Sequence, residues 1–225
     1  MVADDPTSDC PPADAMGRIR ALMQALTERD PHTAAHSQRT ARIAMALGEA
    51  ACLGEADSYV LGAAALLHDI GKLGVPARIL ESKGKLEGMD WARMQEHSIL
   101  GERVVRAADL PLGEQLARAI RHHHENIDGS GYPDGLSGEQ IELSARMISL
   151  ADAYDAISSA RSYHGGHSHE QTMQILMGEV GRKCDPGLFA LFVGEVAPRV
   201  TGARPWPEAD DAAWRAIRCY CEGLD

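Results

Sequence analysis

Apolar residues recur every three or four positions through most of this chain. Over residues 15–28 they fall at Met16, Ile19, Leu22, Met23 and Leu26, which is one face of a helix. Asp30 followed by Pro31 predicts the next helix start, an N-cap and a first-turn proline, with Gly48 and Gly54 as interruptions or stops. Residues 57–70 are apolar around most of the circumference through VLGAAALLH, the pattern of a central buried helix, and Gly71 ends them. The stretch 72–88, with Pro76 and several glycines, is expected to be a connection. Helices are expected at 89–107, 113–125 and 144–159. RSYHGGHSH (161–169) reads as loop, 170–181 as helix, and 185–200 as helix again, with Asp185 and Pro186 as its start signal. Residues 201–225 are expected to form a linker and a closing helix docked by Trp206 and Trp214.

Composition fits an all-α fold. The chain is 44% hydrophobic but only 4% aromatic, rich in Ala, Leu, Ile, Met and Arg, with few β-branched clusters. Its 225 residues suffice for one buried core. The expected organisation is a disordered tail over 1–13, a domain over 14–200, and the appended segment 201–225. A net charge of −11 disfavours duplex nucleic acid or an anionic membrane as partner. Five cysteines (Cys10, Cys52, Cys184, Cys219 and Cys221) without a CxxC pair argue against a disulfide framework and for the reducing cytoplasm. The acidic, proline-rich start lacks the apolar core of a signal peptide, and no apolar run is long enough to span a bilayer.

The chemistry lies in the histidines and a few acids. His32 and His36 are one helical turn apart and leave the same face. His68 and Asp69 stand at the end of the buried helix, where an ionised carboxylate without a cation costs several kcal/mol. His97 sits in an ordinary amphipathic helix, His122, His123 and His124 are consecutive, and Asp152 lies among apolar residues in SLADAYDAIS. Each alone has a structural reading: a hydrogen-bonded core histidine, a capping aspartate, a solvated helix end complementing the dipole. Together they spread imidazoles and carboxylates over the inward faces of several helices, as metal sites in bundles do.

The ordered series H…HD…H…HH…D, with HDIGK at 68–72 and HHENIDGSGYP at 123–133, resembles the HD-GYP branch of the HD phosphohydrolases over about residues 15–195. That resemblance implies an all-helical HD-domain bundle with a multinuclear metal site and the hydrolysis of cyclic di-GMP. By position it implies His36, His68, Asp69, His97, His123, His124 and Asp152 as ligands of two divalent ions, iron or manganese before nickel or zinc. Asp69 would bridge the ions, and Asp69 and Lys72 would carry the chemistry. Lys72, Asp155, Arg161 and His164 would meet the substrate, while Gly131, Tyr132 and Pro133 would form a loop that docks a GGDEF-domain protein. His122 is expected to pack or be solvated rather than bind metal.

This chain also departs from the pattern. His32 stands where trinuclear members carry Glu; a neutral imidazole can ligate but not bridge as a carboxylate does, so any third metal site is expected to be weak, with His32 as its ligand. SSARSYHGG replaces the usual stretch after the last aspartate, putting His164 in place of a basic residue. His164, His167 and His169 are expected to lie in a polar loop. Two other functions remain open: an HD phosphohydrolase for another cyclic dinucleotide or nucleotide, or a low-turnover receptor or adaptor for cyclic di-GMP.

Overall fold

Ten consecutive residues, 58–67, are buried, and the other helices are arranged around them. The computed structural model describes residues 13–82, 84–159 and 166–204. The expectations for residues 1–12, for Arg161 and His164, and for the Trp206 and Trp214 helix lie outside the described residues. Among the described residues there is no strand, only an isolated bridge between Val180 and Cys184.

Helix α1 (Ala13–Arg29) buries Met16, Ile19, Met23 and Leu26, the stripe its spacing indicates. Helix α2 (Pro31–Ala50) begins where expected: the Asp30 side chain accepts the backbone N–H groups of His32 and Thr33. Two of the first turn's orphan donors are thereby satisfied, and Pro31 has no N–H to leave unpaired. Helix α3 (Glu55–Leu67) packs against α1, α2, α7 (Gly113–His122) and α8 (Leu143–Ser158). Between them run a 3-10 turn (Ile70–Gly74), the short α4 (Ala77–Leu80), α5 (Gly88–Gln95) and α6 (His97–Ala107). The last described elements are α9 (His169–Glu179), α10 (Pro186–Leu191) capped by Asp185, a π-helical stretch (Phe192–Val196) and α11 (Ala197–Val200).

Three predicted helices end early or break, each at a histidine. The 57–70 helix stops at Leu67 before His68, 113–125 stops at His122 before His123, and 89–107 breaks at Glu96 before His97. In each case the imidazole Nδ1 bonds to the carbonyl three residues back: His68 to Ala65 at 2.8 Å, His97 to Met94 at 2.6 Å, His123 to Ile120 at 2.6 Å. A side chain that takes a carbonyl competes with the helix ladder for it. Apolar periodicity runs on past these points, so it overstates the helices. The 72–88 connection likewise contains one turn of helix, anchored by the buried Ile79.

The 3-10 turn after His68 touches α6 with no room to spare. A Cβ on Gly71 would lie 1.9 Å from the His97 carbonyl oxygen and 2.5 Å from the Gly101 nitrogen. This contact sets Asp69 beside His97. We therefore expect Gly71→Ala to cost at least about 1–3 kcal/mol, because backbone must move. Gly178→Ala, in α9 with nothing within 4 Å of the added carbon, should be stabilising by about 0.5–1 kcal/mol. Denaturant unfolding of both variants checks the opposite signs.

Candidate metal centre

The helix ends converge. With each Nδ1 committed to a backbone carbonyl as its proton donor, the lone pairs of His68, His97 and His123 lie on Nε2 and face one another. His97 Nε2 is 3.4 Å from His123 Nε2 and 3.1 Å from His124 Nε2. Five imidazoles form a continuous row, His36 on His68, His68 on His123, and His123, His97 and His124 on one another, with ring centroids 4.0–5.4 Å apart. Two sets of donor atoms are close enough to hold a metal ion: His36, His68 and Asp69, and His97, His123 and His124. Asp69 lies between them, Oδ1 3.5 Å from His97 Nε2 and Oδ2 3.5 Å from His68 Nε2. Asp152 joins the first set, its Oδ1 2.8 Å from His36 Nε2 and 3.9 Å from His68 Nε2.

These donors fit a metal. His68 Nε2 is buried without a hydrogen-bond partner, a state that costs about 1–3 kcal/mol unless a cation takes the lone pair. Ligands about 2.1 Å from a common ion stand about 3.0–3.4 Å apart, the spacing seen between the imidazole nitrogens here. Imidazole with carboxylate suits a transition metal better than magnesium.

The two halves differ in their protons. Burial, reinforced by the neighbouring imidazoles, holds His123 well below the ordinary histidine range and His124 down to about 3, and burial lowers His97 as well. That half is neutral and ready to ligate. Burial would also depress His36, but the Asp152 and Asp155 carboxylates outweigh it and push the imidazole up to about 9. Burial opposes ionisation of Asp69 and Asp152 too; Lys72 and the imidazoles around Asp69, and His36 and His68 beside Asp152, nevertheless hold both below the usual carboxylate range. Lys72 Nζ donates to Asp69 Oδ2 at 2.6 Å.

A cleft of about 950 Å³ opens beside these rings, and its charged lining is Arg29, Arg39 and Lys72 with Asp30, Glu81 and Asp155, beside His32 and His36. Its cations allow an acidic chain to receive an anion locally.

The HD domain family model matches residues 20–188. This chain belongs to the HD domain family. The HD domain is 36% identical over 172 residues to a 3′3′-cGAMP-specific phosphodiesterase of Vibrio cholerae, covering 76% of this chain and 37% of that protein. It is 37% identical over 185 residues to a cyclic di-GMP phosphodiesterase of the same organism, covering 76% and 38%. The chain thus spans under two fifths of the length of these relatives. A crystal structure of a V. cholerae cyclic GMP-AMP-specific phosphodiesterase superposes with a TM-score of 0.59 at 20% identity, over 92% of this chain and 58% of that one, a likeness of fold. No helix among the described residues is long and apolar enough to cross a membrane.

Within the HD domain the other sequence-predicted residues are distributed as follows. His32 is exposed on the cleft wall and is absent from both donor sets. Asp155 is buried, and both its oxygens bond to His36 and Arg39. His122 is buried between Glu142 and Asp134, at 2.7 and 3.0 Å. His169 opens α9 and lies 2.9 Å from the Tyr154 hydroxyl. The 131–133 loop runs back over the centre: Tyr132 packs on His124 with ring centroids 4.8 Å apart, and a Cβ on Gly131 would collide with the backbone of 125–126.

Residues not singled out from sequence hold this frame. Glu125, buried at the loop's root, accepts the N–H groups of Asp134, Gly135 and Leu136. Arg39 binds Asp155 through two nitrogens. Both had a signal: Arg39 is three residues beyond His36 on one helix face, and Glu125 directly follows the histidine pair.

Since the metal-free chain carries a proton on His36 at neutral pH, an ion that takes this nitrogen must release it. Apparent affinity for Mn²⁺ at this half should rise by up to about tenfold per pH unit from about 7 toward 9 and then level off. Calorimetric titrations in buffers of different ionisation enthalpy should read about one proton released per chain at pH 7. The same proton stabilises the metal-free fold fully below about pH 6.5, and that contribution is lost as pH rises through about 9.

Proposed function

We propose that this chain is a metal-dependent phosphodiesterase that opens cyclic di-GMP to the linear dinucleotide pGpG and onward to GMP. The observation that carries the reading is the convergence of His36, His68, Asp69, His97, His123, His124 and Asp152 beside a cleft that Arg29, Arg39 and Lys72 help to line. Relatives of similar identity named as cyclic-dinucleotide phosphodiesterases support it.

Two divalent ions, iron or manganese before nickel or zinc, would be held by the two donor sets, with Asp69 within reach of both and any third site weak. Such ions, when bound, lower the pKa of water toward neutrality and neutralise phosphodiester oxygens. The chain's own part is orientation and charge. His68, His97 and His123 are preset by their backbone bonds, so no side-chain freedom is lost on binding. Lys72, on the cleft wall and 2.6 Å from Asp69, is placed to turn its ammonium to the phosphodiester and to give a proton to the departing 3′ oxygen. Arg161 and His164 are proposed to add substrate contacts. Gly131, Tyr132 and Pro133 are proposed to present a docking edge to a GGDEF-domain protein, and the protein is proposed to work in the cytoplasm.

A second substrate, 3′3′-cGAMP, is favoured by a specific observation: relatives named for it match this chain as well as those named for cyclic di-GMP. Chromatography of products from Mn²⁺- or Fe²⁺-reconstituted protein separates the readings. Cyclic di-GMP should be consumed faster than 3′3′-cGAMP and yield pGpG. The reverse order favours the second substrate, and tight binding without product favours a receptor. Asp69→Asn should lower turnover at least about 10³-fold and Lys72→Met about 10²-fold, Lys72→Met leaving metal content intact.

A further inference from the structure

The ligand histidines are not all held in the same way. His68, His97 and His123 are each oriented by a carbonyl of the chain immediately before them. His36 has no such support. Its Nδ1 bonds to Asp155 Oδ2 at 2.7 Å, across the interface between α2 and α8.

The interface has a two-by-two register. His36 and Arg39, one turn apart on α2, meet Asp152 and Asp155, one turn apart on α8. Arg39 grips Asp155 through Nε on Oδ1 at 2.7 Å and Nη2 on Oδ2 at 2.9 Å, a bidentate pair that fixes the carboxylate plane. The Asp155 side chain is only 5% exposed, and both oxygens are engaged inside the protein. Three of the carboxylate's roughly four acceptor positions are thus taken by His36 and Arg39.

We infer that Asp155, clamped by Arg39, is a positioning residue for His36, so that metal binding by His36, His68, Asp69 and Asp152 depends on it while binding by His97, His123 and His124 does not. This role, one bond behind the metal, is additional to the substrate contact that the resemblance implies for Asp155. Partners of this kind typically contribute 10–100-fold in metal affinity. The inference rests on the two-ion reading above.

The test is Mn²⁺ binding to the full chain, read by elemental analysis after gel filtration and by electron paramagnetic resonance. Wild type should hold two ions with an exchange-coupled spectrum. Asp155→Ala should keep one ion near wild-type affinity, bind the other about 10–100-fold more weakly, and show the six-line spectrum of isolated Mn²⁺. Asp155→Asn, whose amide oxygen still accepts the Nδ1 proton, should recover most of the second ion. Arg39→Met should weaken that same ion by a smaller factor. Circular dichroism confirms the fold, and if Asp155→Ala does not fold, Asp155→Asn and Arg39→Met carry the comparison through the order of their affinities. Two ions at wild-type affinity in the folded variants, or equal loss of both, overturns the inference alone. A wild-type chain that binds no Mn²⁺ overturns the two-ion reading and this inference with it.

Discussion

Three imidazole-to-carbonyl hydrogen bonds, each made at the end of a helix, organise this molecule. The last turn of a helix leaves carbonyls without N–H partners, and a histidine just beyond it can supply the missing donor from Nδ1. At His68, His97 and His123 this single bond stops the helix, selects the tautomer and turns Nε2 inward. Three helices that approach one region therefore deliver lone pairs to both donor sets, His68 to one and His97 and His123 to the other. The negative ends of helices α3, α5 and α7 also favour positive charge there.

The electrostatics follow from that convergence. The carboxylates of Asp69 and Asp152, held away from bulk water, are tolerated only if cations accompany them. Lys72 and the proton on His36 do this in the metal-free chain. Under the proposed function an ion would displace the proton, and Lys72 would turn from Asp69 toward an anion in the cleft. A chain with a net charge of −11 is thus compatible with an anionic ligand, because the relevant charges are local.

Much of this was legible in the residues. Asp30 before Pro31 and Asp185 before Pro186 mark helix starts by cap chemistry that is local, and both caps form. The residues of HDIGK and of the histidine pair do come together. The helix ends were misplaced at His68, His97 and His123 because apolar spacing reports which face is buried, while a side-chain bond to a carbonyl decides where the ladder stops. The partners behind the ligands were harder still. Arg39 stands one turn from His36 and Glu125 follows the histidine pair, but spacing names no partner for either, and it is the crossing of α2 over α8 that puts Asp155 behind His36. His32, one turn before His36, lies exposed on the same cleft wall, outside both donor sets.

The central claim is that these side chains form one metal centre with two compartments. Crystals grown with Mn²⁺, with anomalous data collected on either side of the manganese edge, test it most directly. Two anomalous peaks are predicted, one among His36, His68, Asp69 and Asp152 and the other among His97, His123 and His124, with Asp69 between them. Peaks confined to surface carboxylates, with none inside the histidine row, would contradict it.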